Sequence, residues 1–186
     1  MDPVSTPALG SLTTSPALEH PDLLAGPVAA ALAGWPGAQQ VGVTAIDPAL
    51  ADTAALCAAH DLPPAASVNC VVVAGTRAGD ERVAACLVRA DTRADVNRRV
   101  RGLLDVRKAS FLAMDRAVAE SGMEHGGITP VGLPAGWRLL VDSRVVDVDV
   151  AVIGSGVRRS KLLLPGRLLG ELPGAEVVED LATPVG

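Results

Sequence analysis

The sequence predicts an α/β protein of the α+β type, in which helices wrap a mixed central β-sheet. Two β-branched runs, residues 68–74 and 83–88, flank the turn-rich segment 75–80 and read as an antiparallel hairpin. Their apolar character is continuous rather than alternating, the pattern of strands buried on both faces. Stretches with helical spacing lie on either side of them, and a chain of 186 residues is long enough to enclose one core in one domain.

Residues 1–15 are rich in Pro, Ser and Thr without an apolar period and read as a poorly ordered tail, leaving 16–186 as the single domain. Leu18, Leu23, Leu24, Val28 and Leu32 suggest a helix over 16–33, with Ser15 as cap and Pro21 and Pro27 as points where it splits. Gly34-Trp35-Pro36-Gly37 is a turn and Val41-Gly42-Val43 a short strand. Asp47 or Asp52 caps a helix that runs to His60 and stops at Leu62-Pro63-Pro64. After the hairpin, Thr92-x-x-Asp95 resembles a capping box ahead of Val96, Val100, Leu103 and Leu104 on one helical face. Phe111, Met114 and Val118 mark a further helix, closed by Ser121-Gly122. Residues 139–141, 150–153 and 161–164 read as strands, and 175–178 as a last edge strand.

Aromatic residues are only 2% of the chain, so Val, Leu, Ala and Ile must build the core, and few rings are left to stack on nucleobases. A net charge of −5 excludes a general nucleic-acid coat. The charge is uneven, however. Residues 93–108 and 158–167 each carry +4 on an otherwise acidic body, a distribution suited to brief contact with an RNA end or to ordinary solvated surfaces. Three cysteines without Cys-x-x-Cys spacing indicate neither a disulfide framework nor a zinc site. No run reaches the length of a membrane span and no basic start precedes an apolar stretch, so the expected setting is cytoplasmic.

Met123-Glu124-His125-Gly126-Gly127-Ile128-Thr129-Pro130-Val131-Gly132-Leu133-Pro134 is the stretch around which the rest is organised. Its glycines and prolines forbid regular structure and shape a loop. Main-chain N–H groups in such a loop can cradle an anion or oxyanion, although a tight turn needs no ligand.

Over residues 54–182 the chain resembles the YbaK/ProX family of aminoacyl-tRNA deacylases, free-standing relatives of the editing domain inserted in some prolyl-tRNA synthetases. The residues that carry the likeness are the Gly126-Gly127-Ile128-Thr129-Pro130 loop with Val131-Gly132-Leu133-Pro134, then Leu140-Val141-Asp142-Ser143, then Ile153-Gly154-Ser155-Gly156. The resemblance implies a barrel-like sheet and hydrolysis of misacylated tRNA without metal or cofactor. It also implies the aminoacyl-tRNA 3′ end as partner, with an aminoacyl-tRNA synthetase as a second. In the family the Gly-x-x-x-Pro loop receives the aminoacyl-adenosine end, which assigns the amides of Gly126, Gly127 and Ile128 to the ester carbonyl or oxyanion and makes Thr129 and Pro130 substrate contacts.

One departure from the family pattern stands out. A lysine on the first central strand of the family meets a phosphate, and here Asn69 occupies that place, bringing no charge. Lys108 is the first candidate to replace it and Lys161 the second, although both also fit plain surface roles. Asp142 and Ser143 should emerge beside the loop, where Asp142 can orient water, bind a ribose hydroxyl or simply cap a turn. Ser155 and Gly156 can add polar contacts, and His125 is the histidine nearest the loop. Three readings follow: a trans-editing hydrolase, a non-catalytic binder of aminoacyl-nucleotide or tRNA ends that has lost the lysine, and a hydrolase of a small ester.

Overall fold

The computed structural model describes residues 5–186. The expected tail is only partly within them: Met1 to Val4 lie outside the described residues. Residues 5–15 do not form a loose tail. Leu12 is buried at 3% exposure, and the Thr6 hydroxyl donates to the Thr14 carbonyl at 2.9 Å. Ser15 then enters β1 (Ser15–Pro16) rather than capping a helix. Only Gly26–Ala33 of the expected first helix is α-helical (α1), because Pro21 starts a separate 3-10 turn and Pro27 is confined to the first turn.

β2 (Gly42–Ala45) and α2 (Thr53–His60) follow. The hairpin is longer than expected. β3 (Val68–Arg77) and β4 (Asp80–Arg89) pair in full register, so the turn shrinks to Ala78 and Gly79, at φ +51° and +87°. Two positive φ values in succession match the twist of a two-residue hairpin turn. The expected capping box is displaced. Thr92 belongs to β5 (Thr92–Ala94), and the Asp95 carboxylate takes the capping role by accepting the Arg98 N–H at 3.1 Å ahead of a π-helical turn and α3 (Arg101–Leu104).

Next come β6 (Ala109–Phe111), α4 (Met114–Ser121) with Gly122 as its left-handed C-cap at φ +70°, β7 (Arg138–Asp142) and α5 (Ser143–Val146). β8 (Ala151–Gly154), β9 (Ser160–Leu164), β10 (Ala175–Val178) and β11 (Ala182–Pro184) complete the chain.

The strands form a mixed five-stranded sheet in the order β10-β7-β4-β3-β6, an antiparallel four-stranded sheet β1-β2-β9-β8, and the small pair β11-β5. A parallel bridge from Ser67 to Val152 sets the start of β3 against β8 and curls the two larger sheets toward one another, the barrel-like arrangement expected. Leu87, Leu139 and Val141 of the first sheet share a core with Val43, Ile153, Leu162 and Leu164 of the second. On the far face of β4, Ala84 and Cys86 pack with Val100, Leu104 and Leu181. The hairpin's continuous apolar pattern is thus burial on both faces. Among the described residues no helix is long and apolar enough to cross a membrane.

Candidate functional site

The bridge between Ser67 and Val152 places β3, β8 and β9 side by side, with Gly154 of β8 opposite Lys161 of β9. The start of α2 and the glycine loop close over this seam. The result is a cavity of about 390 Å³ lined by Thr53, Asn69, Gly126, Ile128, Gly154 and Lys161, among others. That volume is at the small end of ligand sites and admits a chain terminus rather than a duplex.

Lys161 is the cation inside it. Its side chain is 8% exposed, and Nζ donates to the Ala51 carbonyl at 3.0 Å. An ammonium has three donors, so two remain for an occupant. Burial lowers its pKa, and the nearby Arg158 charge pushes the same way, while Asp52 opposes both. Beside it, Thr53 Oγ1 donates to Asn69 Oδ1 at 2.8 Å, which fixes the Asn69 amide and leaves its NH₂ free to donate. Ala51, Asp52 and Thr53 bring the first turn of α2 to the cavity wall, and Asp52 makes no side-chain capping bond there. Uncapped N–H groups and a nearby ammonium favour an anionic or oxygen-rich ligand, against the Asp52 carboxylate on the same wall. Cys70 also lines the cavity, but burial pushes its thiol well above the usual range, so it is no thiolate nucleophile.

The glycine loop is held against the β8–β9 connection. Glu124 N–H donates to the Gly156 carbonyl at 2.8 Å, and Gly156 N–H to the Gly127 carbonyl at 2.7 Å. Arg158 clamps it from outside: its guanidinium donates to the His125 and Pro48 carbonyls, both at 3.1 Å, and its N–H to the Glu124 carboxylate at 2.8 Å. Gly127 is required by contact, since a Cβ there would stand 2.8 Å from Val157 N and 2.9 Å from Gly156 C. Gly126 is required by conformation, at φ +78°. The Gly127 amide is spent within the loop, donating to the Glu124 carbonyl at 2.9 Å. Those of Gly126 and Ile128 donate to no other described residue, and both residues line the cavity.

Of the residues singled out from the sequence, Asn69, Gly126, Ile128 and His125 come together here, with Lys161 rather than Lys108 as the cation. Lys108 lies in a separate groove with Phe111. Asp142 does not line the cavity. Its carboxylate, 1% exposed, accepts the Arg144 N–H at 3.0 Å and the Ala182 N–H at 2.9 Å and pairs with the Arg144 guanidinium at 3.2 Å. It therefore caps α5 and anchors β11, and Ser143 is the first residue of that helix. Ser155 is wholly buried and bonded to the Ser160 hydroxyl at 2.7 Å, and Gly156 packs against Ala25 and Val28. Thr129 is also wholly buried, and its hydroxyl lacks a partner among the described residues. Pro130 turns away into a second, apolar cavity of about 350 Å³ with Trp35 and Trp137.

Sequence reasoning missed Thr53 and Met114 as cavity residues. An Asp-Thr pair opening a helix was a legible signal for the first, and nothing local marked the second. Among the described residues no group of three or more His, Cys, Asp or Glu is placed to hold a metal ion.

Comparison with known proteins finds the same fold. A proposed trans-editing enzyme for prolyl tRNA synthetase superposes with a TM-score of 0.70 at 18% identity, over 90% of this chain and 98% of that one. The hypothetical protein APE2540 superposes with a TM-score of 0.67 at 23% identity, over 76% of this chain and 90% of its own. These likenesses are of fold. No curated protein matches the sequence. The model of the aminoacyl-tRNA editing domain matches residues 47–171, a span that holds α2, the hairpin, the glycine loop and Lys161. By that match the chain belongs to the aminoacyl-tRNA editing domain family.

Proposed function

We propose that this protein is a trans-acting deacylase, which hydrolyses the ester joining a mismatched amino acid to the 3′ end of a tRNA. The observation that carries the reading is the buried Lys161 ammonium, held by one carbonyl in a cavity that also offers the free amides of Gly126 and Ile128.

In this reading the terminal aminoacyl-adenosine enters the cavity. Water attacks the ester carbonyl, and negative charge gathers on its oxygen, where the Gly126 and Ile128 amides donate. The acyl carbon to ribose oxygen bond then breaks, the proton from water passes to the ribose oxygen, and free amino acid and uncharged tRNA leave. Lys161 takes the place of the family's strand lysine and meets phosphate or developing charge, while the Asn69 amide orients the ribose. Positioning and oxyanion stabilisation suffice for an activated ester, so no protein nucleophile is required. The reaction belongs where tRNAs are charged, in the cytoplasm, with a synthetase as the natural second partner.

The test is deacylation of a panel of misacylated tRNAs, beginning with alanyl- and cysteinyl-tRNA for proline. The expected result is release of amino acid from at least one of them, with kcat/KM about tenfold to a hundredfold lower in Lys161→Met, the worth of one charge-assisted hydrogen bond. Absence of turnover across the panel by folded protein overturns the reading. A non-catalytic binder, to which Asn69 in place of lysine already points, would then account for the site.

A further inference from the structure

A groove of about 620 Å³ adjoins the site, and two elements are common to both. β3 contributes Asn69, Cys70 and Val71 to the cavity and Ala74, Gly75 and Thr76 to the groove. α4 begins with Met114 on the cavity rim and presents Arg116 to the groove. Between them in chain order lies Phe111, which at 62% is the most exposed large hydrophobic side chain among the described residues; Met114, three residues on, is 47% exposed. An exposed phenyl ring on an edge strand contributes nothing to the core and offers a stacking face.

The groove's lining is net positive, with Arg107, Lys108 and Arg116 against Glu81, although Arg116 also pairs with Glu120. Glu81, the carboxylate in the groove, is taken by the Arg116 guanidinium at 2.7 and 2.8 Å. Asp105 is bound by Arg77 and Arg82. Arg107 and Lys108 are left exposed, with no carboxylate within ion-pair distance among the described residues. The other basic stretch is differently disposed: Arg158 and Lys161 donate to backbone carbonyls, Arg159 to the Asp22 carbonyl, and Arg167 to Gln40 and Glu171.

We propose that this groove is the track for the single-stranded nucleotides that precede the terminal adenosine, with a base stacked on Phe111 and phosphates met by Arg107 and Lys108. The proposal rests on the editing reading for the identity of the RNA. A cavity of about 390 Å³ holds only the last residue, so the strand must leave over a neighbouring surface. On a protein of net charge −5 most of that surface repels a polyanion. The groove combines continuity with the cavity, unpaired cations and an exposed ring.

Binding of a fluorescein-labelled RNA hairpin ending in single-stranded CCA tests it directly, by anisotropy over a range of salt. Phe111→Ala should weaken binding about tenfold, the effect of one lost base stack. Arg107→Ala with Lys108→Ala should flatten the plot of log K against log salt by about 1.4, two phosphates at about 0.7 each on a single strand. Unchanged affinity and slope in both folded variants overturn the proposal. So does a change in oligomeric state with Phe111→Ala and no change in RNA affinity, which would make β6 a pairing edge between copies. Failure of the editing reading is seen separately, as absent ester hydrolysis by wild-type protein. Where hydrolysis occurs, the preference in kcat/KM for aminoacyl-tRNA over 3′-aminoacyl-adenosine should fall about tenfold in Phe111→Ala.

Discussion

The Lys161 ammonium and the Ala51 carbonyl oxygen, 3.0 Å apart, form the one hydrogen bond that holds a cation inside the candidate site among the described residues. A charge so placed has exchanged part of its hydration for one neutral acceptor, only partly offset by the nearby Asp52 carboxylate, an arrangement that costs stability unless a ligand completes it.

Lys161→Met should therefore separate stability from function. Methionine fills similar space without a charge, so urea unfolding should show equal or greater stability, by on the order of 1 kcal/mol, while affinity for the CCA-ended hairpin falls. A clear loss of stability would instead make the tie to Ala51 the reason for the lysine.

The same residue sets a pH dependence. Burial lowers its pKa from the ordinary 10.5, so the folded protein releases this proton at a lower pH than the unfolded chain does. Between the two values the unfolded state binds more protons, and stability rises with pH until the window closes at about 10.5. The excess stability of Lys161→Met over wild type should accordingly shrink as unfolding is followed from neutral pH upward. A constant difference would rule out a desolvated lysine.

Gly127→Ala should be costly and Gly136→Ala close to neutral. The first Cβ would meet backbone atoms at 2.8–2.9 Å, whereas the second has no atom within 4 Å. Overpacking against backbone should cost about 1–3 kcal/mol and shift the loop, lowering both the melting temperature and deacylation. Thermal melts of the two variants side by side make the comparison.

Asp142→Ala should act on stability rather than chemistry. It removes the cap of α5, an acceptor for the Ala182 N–H and the partner of Arg144, for a loss of about 2–4 kcal/mol in chemical unfolding. At a temperature where the variant remains folded, kcat should stay near the wild-type value. A collapse of kcat with intact stability would return Asp142 to the reacting centre.

Much of this molecule is legible in its sequence, because the deciding forces are local. The β-branched runs on either side of Ala78 and Gly79 specify the hairpin, Gly122 specifies the end of α4, and the spacing of glycine and proline after His125 specifies a shaped loop. In each case backbone sterics act within a few residues. Which lysine lines the cavity was decided by tertiary structure alone. Lys108 is closer to Asn69 along the chain, yet Lys161 reaches the cavity, because the register of β9 on β8 and the bridge from Ser67 to Val152 exist only once the two sheets close. Asp142 followed the same logic in reverse. An Asp-Ser pair after an apolar strand suits a ligand or a cap equally, and the choice fell to the Ala182 N–H, which only folding brings within 2.9 Å. Burial and hydrogen-bond satisfaction are properties of the closed fold, so the final roles of polar side chains were set there.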